Sequence, residues 1–184
     1  LLGSLWFNSF SSGAGASADY ELISTTVLGS SAASVTFTKS SIWDTYKHLQ
    51  IRFVARGTNA SSQVVLGVRY NGDTGLNYSV HRLGANGSTV VSSGGNNDWA
   101  YLGIVSAASA TSGSFGSGIW ELFDWADTNK RKTSRSLNGT TAGPELNLYS
   151  SAWYSASAIT SIAITSFSGG NIDTGSRFSL YGLK

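Results

Sequence analysis

The sequence predicts an all-β protein, an antiparallel β-sandwich of jelly-roll-like form with about eight strands, on three observations. Apolar and polar residues alternate with a period of two in short windows. Clusters of Gly, Ser, Asn and Asp separate these windows at intervals of roughly eight to twelve residues, as in sandwiches. No stretch carries a long apolar stripe of helical period with caps, so helix is expected to be scarce.

Taken in order, Tyr20-Glu21-Leu22-Ile23-Ser24 leads into the domain, and Ser34 to Thr38 sets Val35 and Phe37 on one side. His48 to Arg56 alternates most clearly. Leu49, Ile51, Phe53 and Ala55 point one way, and His48, Gln50, Arg52, Val54 and Arg56 the other. Val64 to Tyr70 aligns Leu66, Val68 and Tyr70, after which Asn71-Gly72-Asp73-Thr74-Gly75 offers the positive-φ positions of a tight turn. Trp99 to Val105 and Gly118 to Trp125 are more uniformly apolar, as strands covered on both faces are. Ile159 to Phe167 and Arg177 to Leu183 complete the set. The Ser/Gly stretches Gly84 to Asn97 and Ser106 to Gly118 read as hairpin ends or interface loops, and Pro144 marks an exposed connection.

At 184 residues, with 41% hydrophobic content, the chain can bury one core, so a single sandwich domain is expected over 18–184. Residues 1–17 form a different unit. LLGSLWFNSF is an apolar arm whose Leu5, Trp6, Phe7 and Phe10 would be buried on its own sandwich or on another subunit, and SSGAGASA is its flexible hinge. The arm has the apolar content of a signal peptide but lacks a basic start and a small-residue cleavage site. The chain contains no Met, which fits a processed product or part of a longer polypeptide.

Only 12% of residues are charged, about half the usual share, and Ser, Thr, Asn and Gly take their place. Such a surface costs little to desolvate in contacts. A net charge of +2 is too mild for a nucleic-acid face. No run approaches the roughly twenty apolar residues of a membrane helix. The absence of Cys removes disulfides, thiolate nucleophiles and Cys-based zinc sites.

The inventory for catalysis is thin. His48 and His81 have no second His at a metal-ligand spacing, and the loops Asn71-Gly72-Asp73 and Asn96-Asn97-Asp98 lack the dense acidic pattern of a calcium site. Glu121 and Asp124, the nearest carboxylate pair in a strand, face opposite sides of a sheet, so with Asp127 they read as partners of Lys130, Arg131, Lys132 or Arg135. Gly113-Ser114-Phe115-Gly116-Ser117-Gly118 is in the wrong order for a nucleophile elbow. No catalytic residue, cofactor or metal site is expected. The chain has six Trp, which either pack in the core or stack on sugar rings or a neighbouring subunit; Trp99 and Trp153 are the glycan-stacking candidates.

Five blocks carry a family likeness: Tyr20 to Ser24; Thr45 to Arg52; Arg69 to Gly75 with Asn77-Tyr78-Ser79; DWADTNKRKTSR from Asp124 to Arg135; and GSRFSLYGLK from Gly175 to Lys184. Together they resemble a recurrent module in structural proteins of tailed bacteriophages. Where the family pattern carries a Pro-containing turn, this chain has Ser41-Ile42-Trp43-Asp44. The resemblance implies a jelly-roll-like sandwich in a non-enzymatic virion protein, foremost a capsid decoration or cement protein that bridges shell subunits. The alternative it leaves open is a tail-fibre or receptor-binding module that recognises host surface glycans. The partners implied are the major capsid protein or other virion proteins, and further copies of the chain, foremost in a trimer. Lys130, Arg131, Lys132 and Arg135 join the arm as interface candidates.

Overall fold

A computed structural model of the chain describes residues 19–184. The expected arm and hinge over 1–17, with Leu5, Trp6, Phe7 and Phe10, lie outside them. Among the described residues the chain forms β1 (Tyr20–Val27), β2 (Ser34–Thr38), β3 (His48–Ala55), β4 (Gln63–Tyr70), β5 (Tyr78–Asn86) and β6 (Thr89–Asn97). It continues with β7 (Ala100–Ser106), β8 (Gly116–Phe123), β9 (Lys132–Thr140), β10 (Glu145–Trp153), β11 (Ser161–Ser166) and β12 (Arg177–Leu183). Among the described residues helix is confined to one 3-10 turn at Ser41–Thr45, in the place of the Pro-containing turn.

The strands build two antiparallel sheets, ordered β1-β12-β3-β8-β9-β10-β5-β6 and β2-β11-β4-β7. Within them, β1-β12-β3-β8 and β2-β11-β4-β7 are the two interleaved halves of an eight-stranded jelly roll. These are the eight strands read from the sequence, six by alternation and β7 and β8 by their more uniform apolarity. Two inserted hairpins, β5/β6 and β9/β10, lengthen one sheet from four strands to eight, so Gly84 to Asn97 is mostly strand. Its turn is only Gly87-Ser88, with Gly87 at φ 62° where a two-residue hairpin requires it. The Asn71-Gly72 turn forms as expected, with φ of 53° and 71°.

The core lies between the sheets. Leu49, Ile51 and Phe53 of β3 meet Leu66, Val68 and Tyr70 of β4, with Ile162 and Ile164 of β11 and Phe178 and Leu180 of β12. Each such side chain contributes roughly 1.5–3 kcal/mol on burial. Trp43, Trp120, Trp125 and Trp153 are buried with them.

In β9 the usual polarity is inverted. Lys132, Ser134, Ser136, Asn138 and Thr140 face inward and are buried, while Arg135 and Leu137 face outward. The cause is the edge of β7, which ends the four-stranded sheet and points its unpaired backbone at β9 and β10. Ser136 Oγ donates to the Leu102 carbonyl and Asn138 Nδ2 to the Ile104 carbonyl at 2.6 Å. Ser151 Oγ accepts the Tyr101 N–H at 3.3 Å, and Ser106 and Thr140 share a hydroxyl bond of 2.9 Å. Side chains thus satisfy buried backbone groups that would otherwise lack partners. Gly103 makes the approach feasible, since a Cβ there would lie 2.7 Å from Asn138 Cγ.

Candidate functional site

Because parity sends the polar residues of β9 and β10 inward, it sends their leucines out. Leu137 pairs with Ile119 of β8 on one side and Leu148 of β10 on the other, and Leu148 pairs with Leu83 of β5. Ile119, Leu137, Leu148 and Leu83 are 42%, 51%, 49% and 55% exposed. They form an apolar row across four adjacent strands, about 14 Å long at the usual strand spacing. Leu146, Ala85 and Val90 begin a second row beside it.

A polar rail flanks the row. Arg135 Nε donates to Glu121 Oε2 at 2.8 Å, Gln50 Nε2 to Glu121 Oε1 at 3.1 Å, and Arg52 Nε to Gln50 Oε1 at 2.8 Å. The Arg52 guanidinium stacks 4.6 Å above the Tyr181 ring, and that of Arg135 4.9 Å above Phe123. Rail and row enclose a groove of about 510 Å³ lined by Tyr20, Arg52, Glu121, Arg135, Leu137 and Leu148. An apolar centre with a fixed polar rim is the anatomy of a protein contact face.

No family model, curated protein or solved structure matches the chain.

The basic segment is divided by the fold. Lys132, expected at the surface, is buried, and its Nζ donates to the carbonyls of Asp127, Lys130 and Ala156, which burial forces it to find. Burial pushes its pKa down. It anchors the loop before β9 and cannot meet a partner. Lys130 is exposed but paired with Asp124 at 2.6 Å and Asp127 at 3.3 Å; the bond to Asp124 holds that carboxyl below its ordinary range and raises Lys130. Arg131 lies over the Tyr154 ring at 4.9 Å, and Arg135 belongs to the rail.

The two glycan-stacking candidates are engaged internally. Trp153 is buried against Tyr70 and Tyr78, and its indole N–H donates to Asp73 Oδ2 at 2.6 Å, which holds that carboxyl below its ordinary range. Its ring is therefore closed to a sugar. Trp99 is partly exposed, with one face stacked on Phe167 at 4.5 Å, and Arg69 over that same Phe167 ring at 4.7 Å.

Of the acids and bases weighed, Glu121 pairs with Arg135, and Asp124 with Lys130. His48 Nδ1 accepts the Asp124 N–H at 3.0 Å, a bond that fixes Asp124 at its positive φ of 46°. Among the described residues no three His, Asp or Glu side chains converge. The residues of the five sequence blocks serve the fold: Trp125 Nε1 donates to the Tyr46 carbonyl while its ring packs edge-on to Trp43, which lies outside the blocks, and the Tyr78 hydroxyl accepts the Tyr70 N–H.

Sequence reasoning misses Ile119, Leu137, Leu148 and Leu83 as surface residues. The signal is present in Leu146-Asn147-Leu148 and Ser136-Leu137-Asn138, but alternation alone gives two opposite faces without saying which is inside.

Proposed function

We propose that the chain is a non-enzymatic structural protein of a tailed-phage virion, a capsid decoration or cement protein that seats the outer face of its eight-stranded sheet on the shell. One observation carries the reading: the outward row Ile119, Leu137, Leu148 and Leu83, framed by the Arg52, Gln50, Glu121 and Arg135 rail. Monomeric proteins seldom leave such rows open to water, and removing this one from solvent is a driving force for association. The likeness of the five sequence blocks to phage structural modules supplies the setting. The work done is burial and not chemistry, and repeated over a lattice even a weak contact becomes effectively permanent.

The test is binding of the purified chain to shells stripped of it. Wild-type protein is expected to rebind, and the variant Leu137→Asp/Leu148→Asp, folded as judged by circular dichroism, is expected not to. Equal binding by both would remove the face from the account, and binding to tails alone would replace decoration with the fibre reading.

A further inference from the structure

The two sheets have four edges, and three are protected. The backbone edge of β7 is capped by side chains of β9 and β10. Strand β2 has only five residues, and β1 is broken by a bulge between Leu22 and Ser24 and carries Glu21. Short strands, bulges and charges are the devices that keep an edge from pairing with another chain. Strand β6 has none of them. It runs nine residues, TVVSSGGNN, with no charged residue, no Pro and unbroken register against β5. Among the described residues no strand lies on its other side, and Ser92 to Asn96 are all exposed.

We infer that β6 is a strand-addition site whose occupant is β6 of a second copy, paired antiparallel about a two-fold axis at Ser93. A second copy fits for three reasons. An isologous pair brings identical strands together, which is unfavourable when they carry charge, and β6 carries none. Centring at Ser93 pairs all nine residues and sets Gly94 and Gly95 opposite Ser92 and Val91, so no bulky pair collides. The pairing also joins the second apolar row, at Val90, to the partner's sheet, extending the outer face across both copies. The backbone groups along this edge then exchange water for each other, as in other β-augmented contacts.

The lack of Cys gives a direct test with the full chain. In Ser93→Cys the two thiols face each other across the axis, where antiparallel partners sit about 4.5–5.5 Å apart at Cα, within disulfide range. A covalent dimer is expected on mild oxidation, with much less from Thr36→Cys on the other sheet. Light scattering is expected to give twice the chain mass for wild type and the single-chain mass for Ser93→Lys, and mixing Ser93→Lys with Ser93→Glu is expected to restore the pair. Both substitutions are on an exposed strand, and circular dichroism checks that each chain is folded. A monomeric wild type, a trimer, or an oligomer indifferent to Ser93→Lys would overturn the inference. None of these outcomes depends on shell binding.

Discussion

Asn138 of β9 reaches across the sandwich to donate a 2.6 Å hydrogen bond to the Ile104 carbonyl on the edge of β7. With the Ser136 to Leu102 and Tyr101 to Ser151 bonds, this contact ties an inserted hairpin to the jelly roll and keeps the polar face of β9 inward. Asn138→Ala leaves the Ile104 carbonyl unpaired in the interior, which costs about 1–3 kcal/mol. Urea unfolding should show that loss. Leu137→Ser, one residue away and facing water, should change stability by no more than about 0.5 kcal/mol.

Gly103 tests the same junction from the β7 side. A methyl group there would stand 2.7 Å from Asn138 Cγ, far inside contact distance. Gly103→Ala is expected to lower stability by about 1–3 kcal/mol through overpacking. Combined with Asn138→Ala, which removes the closest atom, Cγ, and leaves Cβ at 3.0 Å, its added cost should fall, and a double-mutant cycle by urea unfolding measures this coupling.

Lys132 and Lys130 are two residues apart and should behave as opposites. Lys132→Met strands three carbonyl acceptors, at Asp127, Lys130 and Ala156, and is expected to cost about 2 kcal/mol and to speed proteolysis of the loop that precedes β9. Lys130→Ala removes an exposed, solvent-screened pair with Asp124 and should leave the urea midpoint and the proteolysis rate close to those of wild type.

Stability should decline at alkaline pH through Tyr78. Burial pushes its hydroxyl from an ordinary 10 up to about 12, while the hydroxyl holds the Tyr70 N–H. The folded state therefore keeps a proton that the unfolded chain releases. This contribution is whole below pH 10 and is lost as pH rises from 10 to 12. Tyr78→Phe should be less stable at neutral pH and show a shallower alkaline decline, as followed by urea midpoints across that range. Asp73 has the opposite sign. Its depressed carboxyl stabilises the fold at neutral pH, and that contribution is lost as pH falls through its folded value.

The jelly-roll scaffold was legible in the sequence because its strands obey one rule. In His48 to Ala55, Leu49, Ile51 and Phe53 alternate with more polar residues and are buried, as read. The inserted hairpins follow a different constraint. Ser136 and Asn138 are inside because an edge strand needs donors, and Leu137 is outside as a consequence; a single sequence does not reveal which backbone lies opposite. The same blindness hid the outward apolar row. A related limit applies to Lys132, since a Lys near a turn looks exposed until a ring of carbonyls is found around it; for Trp153 the sequence leaves core packing and stacking open, and the bond to Asp73 decides for the core.

The proposed role requires the outer face of the eight-stranded sheet to be a buried contact in the assembled state. A cryo-EM map of intact particles carrying the protein, resolved to side chains, reads this directly. Ile119, Leu137, Leu148 and Leu83 should lie against shell subunits, with Glu121 and Arg135 at the rim. Density that leaves this row open to solvent while another surface makes the contact would contradict it.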